Sequence, residues 1–225
     1  MSGQAAVFGA GGGIGGALAA ALEASGVYER VTGFKRPDVD VTDEASVVHA
    51  AETLKDGPPL RLCIVATGFL HDGRQGPEKS MRDLDAEALT RSFQVNAIGP
   101  AIVMKHVLPL LPREGEAKFA AISARVGSIG DNGLGGWYGY RASKAALNQF
   151  VKTAAVEIGR RRKNACCVAL HPGTVATALS EPFAKSGLDV RLPEEAASDL
   201  LRVLDRLGPE DTGGFFDHMG EPIPW

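Results

Sequence analysis

Tyr140 and Lys144 stand four residues apart in the run GWYGYRASKAALN. On a helix that spacing puts both side chains on one face. A phenol titrates near ~10 and is a poor base at neutral pH. A nearby ammonium favours its charged form and lowers that value. Such a phenol can give a proton to a carbonyl oxygen or take one from an alcohol. A surface Tyr–Lys pair is the bland reading, and an isolated Tyr-x-x-x-Lys often is one. The chemical reading needs a hydride carrier bound beside the pair.

A place for that carrier lies near the start of the chain. Gly9, Gly11, Gly12, Gly13, Ile14 and Gly15 fall in FGAGGGIG, which follows a short apolar run and opens a helical pattern. A dinucleotide pyrophosphate must approach backbone N–H groups at a helix N-terminus, where a Cβ would block it. Gly9 is expected to permit the tight turn, Gly13 the close approach, and Gly15 the packing of helix on strand. The spacing is Gly-x-x-x-Gly-x-Gly rather than Gly-x-Gly-x-x-Gly. A second strand then ends in Gly33-Phe34-Lys35-Arg36. A carboxylate there would accept the ribose hydroxyls of NAD, whereas a cation suits the 2′-phosphate of NADP. Lys35 and Arg36 therefore favour NADP, with NAD as the alternative.

The elements that must hold these groups alternate. Short apolar strands are expected at residues 4–9, 31–34, 62–67, 118–123, 166–171 and 214–217. Helices are expected at 14–25, from Glu44 with Thr42 or Asp43 as cap, and at 85–111, 140–159 and 193–207. The helix from Glu44 would bury Ala45, Val48, Ala51 and Leu54, and Pro100 would make the 85–111 helix irregular. Strands apolar on both faces and separated by helices predict a doubly wound parallel sheet with helices on both sides. No repeat or linker divides residues 1–225, so one domain is expected. One connection is too short: only Lys35–Asp38 separate Phe34 from Val39–Val41, and a parallel crossover needs roughly a dozen residues. A truncated third βα unit is predicted, with no helix between residues 34 and 42.

Composition excludes other classes. Of 225 residues, 44% are hydrophobic and 23% charged, which is globular. A net charge of −3 offers no basic field for nucleic acid or an anionic membrane. No apolar run approaches the ~20 residues that span a bilayer. Three cysteines, Cys63, Cys166 and Cys167, sit in apolar runs without metal-ligand spacing. With no signal peptide read, a reducing, cytoplasmic setting is expected. Twenty-eight glycines are an excess, and they cluster: nine in residues 1–33 and six in 127–139.

Gly9-x3-Gly13-x-Gly15, Asn96, Tyr140-x3-Lys144 and His171-Pro172-Gly173-x-Val175-x-Thr177 occur in one order along nearly the whole chain. In this the sequence resembles the short-chain dehydrogenases/reductases. GSIGDNGLGGWYGYRASKAALN and the ending GGFFDHMGEPIPW are similar to the C-factor-like branch, which includes carbonyl reductases. The resemblance implies a Rossmann-like fold, an NAD(P)-linked carbonyl–alcohol oxidoreductase and a small-molecule substrate. It implies Tyr140 as acid/base, and Lys144 as the ligand of the nicotinamide ribose that lowers the Tyr140 pKa. Asn96 would hold a water in a proton relay; read from the residues alone, it is a mid-helix Asn with a specific job or a satisfied core amide. Pro172, Gly173 and Val175 would face the nicotinamide carboxamide, Thr177 the pyrophosphate, and Asp40 and Val41 the adenine. A homodimer or homotetramer built on the 85–111 and 140–159 helices is also implied.

Three departures bear on the site. The family's Ser-Ser after the fifth strand is Ser123-Ala124 here, so either Ser128 or Ser123 must stand in for the lost hydroxyl. The family's Asn-Asn-Ala-Gly is Val65-Ala66-Thr67-Gly68, with only Gly68 in place. The second-to-third strand connection is short. A lid over substrate is expected in residues 179–192. His71 and Asp72 either line a pocket or sit in a solvated loop, and Arg160–Lys163 are read as solvated helix-end charges. The alternatives to an oxidoreductase are a dinucleotide-binding signalling or regulatory protein and, more remotely, an epimerase or lyase.

Overall fold

The computed structural model describes residues 3–72, 76–180 and 190–225. Six strands form one parallel sheet: β1 (Gln4–Phe8), β2 (Arg30–Phe34), β3 (Leu60–Val65), β4 (Ala117–Ile122), β5 (Ala165–His171) and β6 (Phe215–Asp217). Their order is β2-β1-β3-β4-β5-β6. The step from β1 across to β3 reverses the direction of winding, and in such sheets ligands bind outside the carboxyl ends of the strands at that point.

Side-chain alternation builds a core on each face. Ala5 and Val7 of β1 enter one core, and Ala6 and Phe8 the other. Cys166, Val168 and Leu170 separate in the same way from Ala165, Cys167 and Ala169. Cys166 and Cys167 therefore point to opposite faces, and all three cysteines are free, buried thiols. Helices α1 (Gly13–Ser25) and α6 (Pro193–Arg206) cover one face. Helices α2 (Glu44–Lys55), α4 (Gly99–Val107) and α5 (Tyr138–Gly159) cover the other. A further helix, α3 (Ala86–Phe93), leads towards α4.

The expected short connection is present. Residues 35–43 form turns without a helix, while Val39 and Val41 dip into the core. Asp43 rather than Thr42 caps α2, accepting from the Ala45 N–H at 3.1 Å. The buried face of α2 is Val47, Ala50, Ala51 and Leu54. Ala45 is exposed, so the expected face was rotated by about one residue.

The 85–111 stretch is not one helix. A π turn, Gln94–Ile98, separates α3 from α4, and a 3-10 turn follows α4. Pro100 sits just after that π turn, as expected of an irregularity there: Ile98 and Gly99 carry the right-handed helical path into α4, so the proline's missing N–H and its ring fall on the turn before it. Arg162 also departs from the solvated reading, because its guanidinium donates to Leu111 O and Pro109 O at 2.6 Å each. Among the described residues no helix is long and apolar enough to cross a membrane.

Candidate active site

The loops after β1, β2 and β3 enclose a cleft of about 520 Å³. Gly9, Gly11, Gly12, Lys35, Arg36, Asp40, Val41 and Gly68 line it. Gly9 has φ +90, a conformation closed to most side chains, and a Cβ there would stand 2.9 Å from the Ala66 carbonyl carbon. A Cβ on Gly15 would lie 2.2 Å from Gly9 O, so this glycine lets α1 sit on the turn. Gly13 and Ile14 open α1. The neighbour that needs Gly13 is Thr177, whose Cγ2 would lie 2.9 Å from a Cβ. The β5 loop thus meets the glycine loop across the sheet, with Pro172 buried, Gly173 at φ +79 and Val175 bridged to Arg191.

Asp40 Oδ1 accepts from Thr42 N at 2.9 Å and from Thr42 Oγ1 at 2.7 Å. These bonds, with the Arg36 charge beside them, hold its carboxyl below the usual range. Thr67, at a position the family motif gives to Ala, brings a buried hydroxyl without a hydrogen-bond partner to the cleft wall. A backbone cradle that excludes Cβ atoms, two cations at its far end and an orphan hydroxyl in its wall together fit a dinucleotide.

A second pocket, of about 240 Å³, adjoins the first and shares Phe69 and Arg91 with it. Tyr140 lines this pocket. Lys144 is 2% exposed, and its Nζ donates to Ile122 O at 2.8 Å. Burial pushes the Tyr140 phenol up to about 12 and brings the Lys144 ammonium down to about 8. The direction at Tyr140 is therefore upward, against the lowering expected from Lys144, because burial disfavours the charged form of each group.

Asn96 sits in the π turn with its amide fully engaged. Nδ2 donates to Phe69 O at 2.8 Å and to Ser143 Oγ at 3.0 Å, and Oδ1 accepts from Phe69 N at 2.7 Å. The side chain staples the loop after β3 to α5, the satisfied core amide that the residue's position allows. The two candidate serines also separate. Ser123 Oγ donates to Asn148 Oδ1 at 2.6 Å, so its proton is committed. Ser128 Oγ accepts from the Asp131 N–H at 3.1 Å and keeps its proton to give. Both are buried, at 3% and 1% exposure.

Asp72 lines the pocket and pairs with Arg91 at 2.5 Å, while His71 Nε2 lies 3.2 Å from Ala178 O. Of the expected lid, residues 181–189 lie outside the described residues. Trp137, which the sequence offers either as an entrance residue or as a packed aromatic, meets the Tyr140 ring edge-on at 6.2 Å. Two participants escaped the sequence reading: Arg91 stacks on Phe69 at 4.7 Å between the two cavities, and Glu78 binds the start of α5. A basic residue inside the amphipathic 85–111 stretch was a visible signal for Arg91; Glu78 depends on contacts no local pattern encodes.

Comparison with known proteins agrees with this geometry. A family model described as enoyl-(acyl carrier protein) reductase matches residues 9–193. A 1-hydroxy-2-glutathionyl-2-methyl-3-butene dehydrogenase of Rhodococcus sp. (strain AD45) is 35% identical over 190 residues, covering 84% of this chain and 79% of that one. The C-signal protein of Myxococcus xanthus is 37% identical over 147 residues, covering 65% of this chain and 84% of that one. Among solved structures, NADPH-bound carbonyl reductase from chicken fatty liver superposes with a TM-score of 0.87 at 26% identity, covering 99% of this chain and 98% of that chain.

Proposed function

The chain belongs to the short-chain dehydrogenase/reductase family, and from that premise we propose that it is an NADPH-preferring carbonyl reductase in which Tyr140 supplies the proton. As a family member it is an NAD(P)(H)-dependent oxidoreductase interconverting a carbonyl and an alcohol. The observation that carries the finer reading is the position of Tyr140, in a pocket that shares Phe69 and Arg91 with the glycine-walled cleft.

When bound, the dinucleotide supplies or receives the hydride. Gly9, Gly11 and Gly12 would give its pyrophosphate backbone to approach, and Thr177 stands beside Gly13 on the opposite side. Lys35 and Arg36 line the same cleft and would meet the 2′-phosphate, and their charge supports the NADPH preference. Tyr140, pushed up to about 12, keeps its proton through neutral pH and is therefore set to donate it to a carbonyl oxygen. Ser128, whose hydroxyl proton is left free by its bond to Asp131 N, is the serine proposed to donate to the same oxygen. Lys144 supplies a buried cation behind the phenol, 5.8 Å from the ring centre. The signalling alternative uses none of this, because binding alone needs no phenol beside an ammonium.

A second copy of the chain is part of the proposal. Phe150 is 42% exposed on α5, beside a groove of about 380 Å³ formed with Ala101, Met104 and Leu108. Of the apolar positions along this helix, Val151, Ala155 and Ile158 serve the protein's own core instead. Light scattering at micromolar concentration tests the dimer, and a monomer would contradict it. A cytoplasmic setting fits the three free thiols. The deciding experiment is NADPH oxidation across a panel of aldehydes and ketones, repeated with NADH. Turnover faster with NADPH supports the reading; tight NADPH binding with every carbonyl left unreduced would reject it.

A further inference from the structure

Helix α5 carries Tyr140 and Lys144, yet it lacks a cap of its own. Its N-cap is Trp137, in the left-handed region at φ 54, with no side-chain cap bond. An indole has no acceptor to offer, and the first N–H groups of a helix need one. Glu78 provides it from the loop after β3, 61 residues before Gly139 in the chain. Its Oε2 accepts from Gly139 N at 3.1 Å, and its backbone carbonyl accepts from Trp137 N at 2.6 Å. The carboxylate also meets the positive end of a 22-residue helix.

The fit is close. Glu78 is 7% exposed, and carboxylates are rarely buried without such partners. A Cβ on Gly139 would stand 2.8 Å from Glu78 Oε1 and 3.1 Å from Leu89 Cδ2, so a side chain there would push the carboxylate off its present seat. Tyr140 is the next residue. Gly76, Pro77 and Glu78 also line the pocket that Tyr140 enters. One short segment therefore forms part of the substrate wall and holds the first turn of the helix that bears the acid.

We propose that Glu78 is a positioning residue: its carboxylate fixes the start of α5 and so sets Tyr140 against the carbonyl in the pocket. The proposal rests on the reading of Tyr140 as the acid. It ties substrate shape to the acid's position, because a molecule that displaces the 76–78 wall displaces the cap with it.

The test compares Glu78→Ala and Glu78→Gln in the full chain with NADPH and 4-nitrobenzaldehyde, alongside amide exchange across residues 137–141. In Glu78→Ala, exchange at Gly139 and Tyr140 should quicken and kcat should fall about ten- to a hundredfold, as for a small misplacement of a reacting group. NADPH affinity, followed by its fluorescence, should hold. Glu78→Gln keeps an acceptor oxygen and should recover most of kcat. Gly139→Ala should reproduce the loss in the natural protein and add little to Glu78→Ala, since both disturb one contact. Unchanged exchange in Glu78→Ala overturns the proposal. So does a kcat loss that Gln fails to restore, or one matched by an equal loss of NADPH affinity. If the natural protein leaves the aldehyde unreduced, the functional reading is in question, while the exchange result still decides the role of Glu78.

Discussion

Lys144 Nζ lies 5.8 Å from the centre of the Tyr140 ring, yet its hydrogen bond goes to Ile122 O at 2.8 Å. The lysine is anchored to the end of β4 and faces the tyrosine as a charge rather than as a bonded partner. The pair is therefore placed by the sheet, and each member bears its own cost of burial.

Tyr140→Phe removes the acid and leaves the ring. The variant should fold and bind NADPH normally while turnover falls about 10²- to 10⁴-fold, the usual contribution of a general acid. Stopped assays of NADPH oxidation with parallel fluorescence titration check this. Turnover at the natural rate would remove Tyr140 from the chemistry.

Lys144 gives a pH signature. Its folded value is about 8 against an ordinary 10.5, because burial penalises the ammonium. Between those values the unfolded chain holds a proton that the folded one has released. Stability from this group therefore rises with pH across that window, by up to about 1 kcal/mol per unit. Cys63, Cys166 and Cys167 act in the opposite sense: burial raises their thiols, so the unfolded chain ionises first as pH rises. The Lys144 share is read as a difference. Urea midpoints of the natural protein and Lys144→Met, taken at about pH 7 and about pH 10, should converge or cross in favour of the natural protein at the higher value. A constant gap between the two curves contradicts the assignment.

The two serines should part company. Ser123→Ala strands Asn148 Oδ1 in the core, so it should cost about 1–3 kcal/mol of stability and leave turnover nearly intact. Ser128→Ala should lower turnover about tenfold or more, the order of a lost donor to the reacting oxygen, with a smaller effect on the melt. The reverse pattern would make Ser123 the donor.

Arg36→Ala tests coenzyme choice. The preference for NADPH over NADH should drop by about tenfold, the order of a lost charge-assisted bond at an exposed site. An unchanged ratio would leave Lys35 alone, or neither residue, as the determinant.

The sheet and its helices were legible because their signals are local. Buried strands such as LCIVA read as apolar runs, and four residues between Phe34 and Val39 cannot hold a helical crossover whatever their identity. The π turn at Gln94–Ile98 was half legible: Pro100 marked the stretch as irregular, but one extra residue within a helical pattern leaves the apolar spacing nearly intact, so its kind and its start carry no local signal. At the site, residue types were legible and their partners were not. Asn96 was visible as an unusual mid-helix Asn, but its bonds to Phe69 and Ser143 arise only when three segments meet. Glu78 carries no local mark at all, since the helix it caps begins sixty residues later.

The shortened connection after β2 also decides what lies at the rim of the sheet. With no further strand beyond it among the described residues, β2 presents one row of peptide groups that no neighbour in the sheet takes up. Such a row is a template on which another chain can extend the sheet. Here it is only five residues long and is followed at once by Lys35, Arg36 and Pro37. Two like charges and a residue without an N–H halt any added strand at that corner. The cations that meet the 2′-phosphate in the proposed reading thus have a second effect, keeping separate molecules from joining edge to edge.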